Sequence, residues 1–165
     1  MSYECSGCGK VHDELPRFFM SRWPQTRTGR RIHARDDRKS MCRTLSQCFV
    51  RCEIEVPLIS GAAGSLGFIC WVKVQPAAYR RLLAFRESEQ TAPVFSDLFP
   101  GTVANSLTAI PNSFGTSVEF EVLAGDPTPY VRWVQPSTAL ARRIKTGATN
   151  KFWHEVASSA LGRRA

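Results

Sequence analysis

The chain has no apolar run long enough to cross a membrane. Its longest, Leu66 to Val74, is broken by Gly67 and falls far short of the roughly 20 residues that a spanning helix needs. No apolar segment of signal-peptide type follows Met1. A soluble, cytoplasmic protein with no membrane partner is therefore expected. Acidic residues are also scarce: 14 Asp and Glu stand against 22 Lys and Arg, a net charge of +8, which makes an anionic partner conceivable. Histidine is rarer still, at 3, and a lone histidine near a turn is as often bonded to backbone as to a metal. No helix-turn-helix, RNP-like or other recognised nucleic-acid signature is present. Cysteine is not lacking, at 6, but in a reducing compartment a disulfide framework is not expected, so the thiols are read for metal binding, catalysis or burial.

The stretch from Gln47 to Val74 organises the rest of the chain. Val50, Cys52, Ile54 and Val56 share one parity, and Phe49, Glu53 and Glu55 the other. A glycine-containing turn leads from there to LGFICWVKV, which is almost wholly apolar. Both runs are rich in β-branched and aromatic residues, which predicts two antiparallel strands at the heart of a sheet. At 165 residues and 43% hydrophobic composition, the chain is sized for one core.

The basic charge is concentrated. Residues 22–43 hold eight bases, Arg22, Arg27, Arg30, Arg31, Arg35, Arg38, Lys39 and Arg43, against Asp36 and Asp37. The tail from Arg142 holds six bases against Glu155. A solvated arginine-rich surface is the plain explanation. Arginine beside an aromatic, here Trp23 with His33 nearby, is also how single-stranded nucleic acid is gripped. The candidates for that contact are Arg27, Arg30, Arg31 and Arg35, with Arg142–Lys151 as a second patch.

The opening residues read ECSGCGKVHDELP. Two cysteines separated by two residues on a tight turn can present both thiolates to one ion, and Gly9 lets the backbone fold around the second sulfur. His12 lies close enough to add an imidazole. One such pair is half of a structural zinc site, which normally takes four protein ligands. Cys42, Cys48, Cys52 and Cys70 are the remaining thiols. Redox chemistry and plain structural thiols are the alternatives, although no strand precedes the pair as it does in redox motifs.

Further along, Pro76 stands at a first helical position, with Tyr79, Leu82, Leu83 and Arg86 on one stripe. Thr91–Pro100 reads as a short helix or packed loop, and Ser106–Ile110 as a weak strand. From Ser117 the alternation is clean, with Val118, Phe120 and Val122 inward and Glu119 and Glu121 outward. Tyr130 to Val134 returns as its hairpin partner, with Arg132 near one of those glutamates. Two short helices close the chain, capped by Ser137 or Thr138 and by Thr149 or Asn150, the first ended by Gly147.

With these segments in place, the chain resembles the bacterial family known as domain of unknown function 2199. The pieces that carry the likeness are CSGCGKVHDELP at 5–16, Cys42 with FVRCEIEVPL at 49–58, FICWVKVQPAAYRR at 68–81 and VQPSTALARRIKTGAT at 134–149. The resemblance implies a single α+β domain without an established activity. It also implies a metal set of Cys5, Cys8, His12 and Cys42; the residues themselves leave the fourth ligand open between His12, Cys48 and another side chain. Where the family tends to carry a histidine before the penultimate helix, this chain has Thr138-Ala139, which weakens an enzymatic reading.

Together these readings predict one α+β domain over residues 1–165: a cysteine knuckle at 1–16, a basic loop at 17–41 and a core at 42–165. The core is expected to hold a mainly antiparallel sheet of about five strands, the commonest size, with helices packed on one side. A closed four-ligand zinc leaves no open position for substrate, so its role is structural. The expected function is a zinc-stabilised, non-enzymatic domain that contacts another macromolecule, with nucleic-acid association through the arginine-rich segment as the alternative. A small hydrolase using Cys52 or Cys70 as nucleophile has the least support, since cysteines buried on strands usually act as small apolar side chains.

Overall fold

The structure is a computed structural model that describes residues 3–4, 11–12, 17–38, 40–59, 64–87, 98–123 and 128–162. Two strands of ten residues dominate it, β6 (Cys48–Pro57) and β7 (Ser65–Val74). They pair antiparallel from Cys48↔Val74 to Pro57↔Ser65, as their composition predicts. The earlier strands are β1 (Tyr3–Glu4), β2 (Val11–His12), β3 (Phe18–Met20), β4 (Arg35–Arg38) and β5 (Met41–Arg43). After β7 come helix α1 (Pro76–Glu87), strands β8 (Phe99–Val103), β9 (Ser117–Glu121) and β10 (Tyr130–Val134), then helices α2 (Ala139–Thr146) and α3 (Asn150–Gly162).

The α+β class is borne out, but the sheet does not lie open with helices on one side. Among the described residues it has eight strands in the order β3-β7-β8-β9-β10-β6-β5-β4, and the additional β6–β7 pairing closes five of them, β6 to β10, into a barrel. The closing contact is parallel: Tyr130 sits opposite Glu53, whose N–H donates to the Pro129 carbonyl at 2.8 Å. Long paired strands accumulate right-handed twist, and closure pairs edges that an open sheet would expose.

Two features of the closure escape periodicity. Strand β8 begins Phe99-Pro100-Gly101, in a stretch expected to be helix or loop. Pro100 and Gly101 are poor strand formers, yet Gly101 is what the crossing requires, since a Cβ there would run into the Val72 side chain and lie 2.8 Å from the Lys73 carbonyl. Ser106–Ile110, expected as a weak strand, is instead a turn. The Leu107 N–H donates to the buried Ser113 Oγ at 2.7 Å, and Leu107 and Ile110 still reach the core.

The main core takes Val50, Cys52, Ile54 and Val56 from β6, Phe68, Cys70 and Val72 from β7, Val118 and Phe120 from β9, and Tyr79, Leu82, Leu140, Phe152 and Val156 from the helices. Thr138 caps α2 through the Ala141 N–H at 3.1 Å, and Thr149 caps α3 through the Phe152 N–H at 3.2 Å. Gly147 ends α2 with φ of 73°, backbone that only glycine adopts without strain. No helix among the described residues is long and apolar enough to cross a membrane.

The opposite face of β6 and β7 is also covered. Phe49, Trp71, Cys42 and Ala104 form a second buried cluster against which Ile32 and Ala34 pack. Glu53, on the same parity as Phe49, is almost completely buried as well. The reason lies in the basic segment, which crosses this face: β3 runs parallel to β7 from Phe18↔Gly67 to Met20↔Ile69. Asn105 fastens the layer, its Oδ1 accepting the Trp71 N–H at 2.7 Å and its Nδ2 donating to the Trp23 carbonyl at 2.9 Å. Each buried polar group left without its partner costs about 1–3 kcal/mol, so Asn105→Ala is expected to lower stability by about 2–4 kcal/mol. Urea midpoints measure it, and an unchanged midpoint would mean that the clamp holds nothing.

Candidate functional site

The arginine-rich segment is more structured than a loop. Gln25 and Arg31 form an antiparallel bridge around the turn Thr26–Arg30, where Gly29 has φ of 80° and the Gly29 N–H donates to the Thr26 carbonyl at 2.9 Å. Arg27 and Arg30 are exposed on this turn. Arg31 folds back so that its guanidinium carbon stands 3.8 Å from the centre of the Trp23 ring. A second such stack lies inward, where Arg51 covers Trp71 at 4.6 Å and reaches the Arg22 carbonyl at 3.5 Å.

Strand β4 then carries Arg35 back against β5, in register with Arg43. Antiparallel partners project to the same side of the ribbon, so two guanidinium groups share one site. With His33, Thr44, Leu45 and Ser46 they line an open groove of about 650 Å³. The turn that forms one wall is braced by its own bonds. The Thr44 N–H donates to the Gln47 carbonyl at 2.8 Å, while Thr44 Oγ1 accepts the N–H groups of Ser46 and Gln47 at 3.2 and 3.0 Å. Leu45 at its tip is fully exposed.

Of the four arginines singled out from sequence, the groove takes only Arg35. Arg27 and Arg30 occupy the neighbouring turn, and Arg31 is engaged with Trp23. Nothing in the local pattern marks Arg43 or the turn 44–46 for this groove. Only the β4–β5 register brings them opposite His33 and Arg35. In the C-terminal patch, Arg143 stacks on Phe152 at 4.1 Å and donates to the Gly147 carbonyl at 3.2 Å, which gives that charge a structural use.

The metal candidates divide differently. Cys5 and Cys8 lie outside the described residues, as does the side chain of His12. The backbone of β1 pairs with β2, Tyr3 opposite His12 and Glu4 opposite Val11, so the stretch with both cysteines connects paired strands. Cys42 is completely buried in the second cluster, while Cys48 is half-buried. Among the described residues, no group of three or more His, Cys, Asp and Glu side chains could hold a metal ion.

Cys52 and Cys70 face each other across β6 and β7 and are completely buried. Burial pushes the Cys70 thiol from 9.0 up to about 12. Burial also raises Cys52, reinforced by Cys70 and opposed by the Arg86 guanidinium. A nucleophilic cysteine requires the reverse, a lowered pKa in an accessible position. The pair is built as neutral core.

Among the described residues, a barrel of five closing strands, three helices that pack side chains against it and an arginine-lined groove at one edge define an α+β barrel domain. The chain belongs to the family described as "Uncharacterized protein conserved in bacteria (DUF2199)", whose profile matches residues 4–148. That match spans the barrel and α2 and stops before α3. No curated protein and no solved structure matches the chain.

Proposed function

We propose that the protein is a non-enzymatic binding domain that contacts nucleic acid through the groove lined by His33, Arg35 and Arg43. The observation that carries this reading is the pairing of Arg35 with Arg43 along one wall of an open groove. Two guanidinium groups on the same side of one ribbon offer a phosphate charge-assisted donors from both strands. Guanidinium forks suit phosphate oxygens, and the surrounding segment, with its excess of bases, raises the local concentration of a polyanion.

The test is fluorescence anisotropy with a labelled single-stranded oligonucleotide over a series of salt concentrations. Arg35→Ala/Arg43→Ala is expected to weaken binding at least about tenfold near 0.1 M salt, and to reduce the salt slope by about 1.4, at ~0.7 per single-strand phosphate contact. Arg27→Ala/Arg30→Ala, on the adjacent turn, should have the smaller effect. A wild-type protein that binds no oligonucleotide even at low salt would dispose of the reading.

The same domain is proposed to carry a structural zinc held by Cys5, Cys8, His12 and Cys42. Support comes from the donor set and from the β1–β2 pairing around the Cys-x-x-Cys stretch. Cys42 supplies a thiol already removed from water, where an isolated thiolate is unfavourable and a metal-bound one is not. The ion's part is to tether the opening hairpin to β5. About one zinc per chain is expected, with metal content and melting temperature falling together in Cys5→Ser and in Cys42→Ser. A metal-free protein whose stability ignores chelators would refute this site while leaving the groove untouched.

A further inference from the structure

We infer that the β5–β6 turn is a base-contacting element, with Leu45 packing against a nucleobase of a single strand whose phosphates lie on Arg35 and Arg43. This rests on the nucleic-acid reading of the groove and goes further, because it assigns a strand type and a base contact. Leu45 is fully exposed, more so than Phe18, Met20 and Ile59, the next most exposed large apolar side chains among the described residues. Its position is held by the Thr44 hydroxyl, which accepts from both Ser46 and Gln47, and by the Thr44–Gln47 backbone bond. A leucine on a braced tip presents its apolar surface at little entropic cost on binding.

The partner's chemistry follows from what lies on either side. Arg35 and Arg43 give the groove positive charge, and Leu45 gives its wall a single apolar side chain. An acidic peptide would satisfy the cations but offers no flat apolar surface at a regular distance from each negative charge. A single strand offers both, since every phosphate is followed by an unpaired base with an exposed face. A duplex keeps its bases stacked inside and would present mainly phosphates to an open groove of this size.

Affinities for an oligothymidine decamer and for an abasic phosphodiester strand of the same length separate the two contributions. Wild type is expected to prefer the decamer by about fivefold, as partial burial of one leucine against a base provides. Leu45→Ser should bring that ratio to about one, whereas Arg35→Ala/Arg43→Ala should weaken both strands alike. Leu45 touches no core, so a folding defect is not expected, and the melting temperature checks it. Equal wild-type affinity for the two strands, or a preference that survives Leu45→Ser, overturns the inference and leaves the groove reading intact. Binding of neither strand removes both.

Discussion

Trp71→Ala is expected to destabilise the protein by about 3–5 kcal/mol, the usual cost of deleting a buried aromatic, against a total stability of roughly 5–15 kcal/mol for a domain. Trp71 is among the largest fully buried side chains and the centre of the second cluster with Cys42 and Phe49. Arg51 stacks on its outer face, and its backbone N–H is the one that Asn105 accepts. Alanine would therefore open a cavity and take away the surface on which the basic segment rests. Trp71→Phe keeps a ring under Arg51 and should cost less than half as much. Urea denaturation of both variants gives the comparison, and an alanine variant within 1 kcal/mol of wild type would show that this layer adds little.

Raising the pH above 9 is expected to be the other large destabilisation. The Cys70 thiol is neutral in the fold up to about 12 but ionises from 9.0 where burial no longer protects it. Its contribution to stability is therefore complete below pH 9 and is lost progressively between about 9 and 12, as the unfolded chain releases a proton that the native one retains. Each pH unit in that window costs about 1.4 kcal/mol, so roughly 3 kcal/mol is gone by pH 11 from Cys70 alone. Cys52 shifts in the same direction. Because the two thiols are neighbours, their effects are read together. Cys52→Ala/Cys70→Ala should be less stable than wild type at pH 7, through lost packing, yet show a flatter decline from pH 9 to 11. Parallel declines in the two proteins would mean that lysines or tyrosines, and not these thiols, set the alkaline limit.

The legibility of the sequence followed how local each signal was. The β6–β7 ribbon, the Pro76 start of α1, the Thr138 and Thr149 caps, the Gly147 stop and the pairing of Arg132 with Glu121 all rest on patterns within a few residues or on adjacent strands. Strand β8 was hidden because its Pro100 and Gly101 serve a crossing whose other partner, β7, is remote in sequence. The burial of Glu53 was not legible, because alternation assigns a face to each residue but cannot say what covers that face. The charge run marks Arg35, whereas Arg43 and Leu45 enter the groove only through register.

By itself, then, the sequence determined the family, the α+β class, the central ribbon and the clustering of positive charge, since composition, parity and capping act over short spans. Tertiary structure alone decided that the sheet closes, that a second face is buried, and that His33, Arg35, Arg43 and Leu45 meet. The first two outcomes depend on long-range pairing and the third on the β4–β5 register, and the hydrogen bonds that set them join backbone groups which every residue possesses and no local pattern identifies.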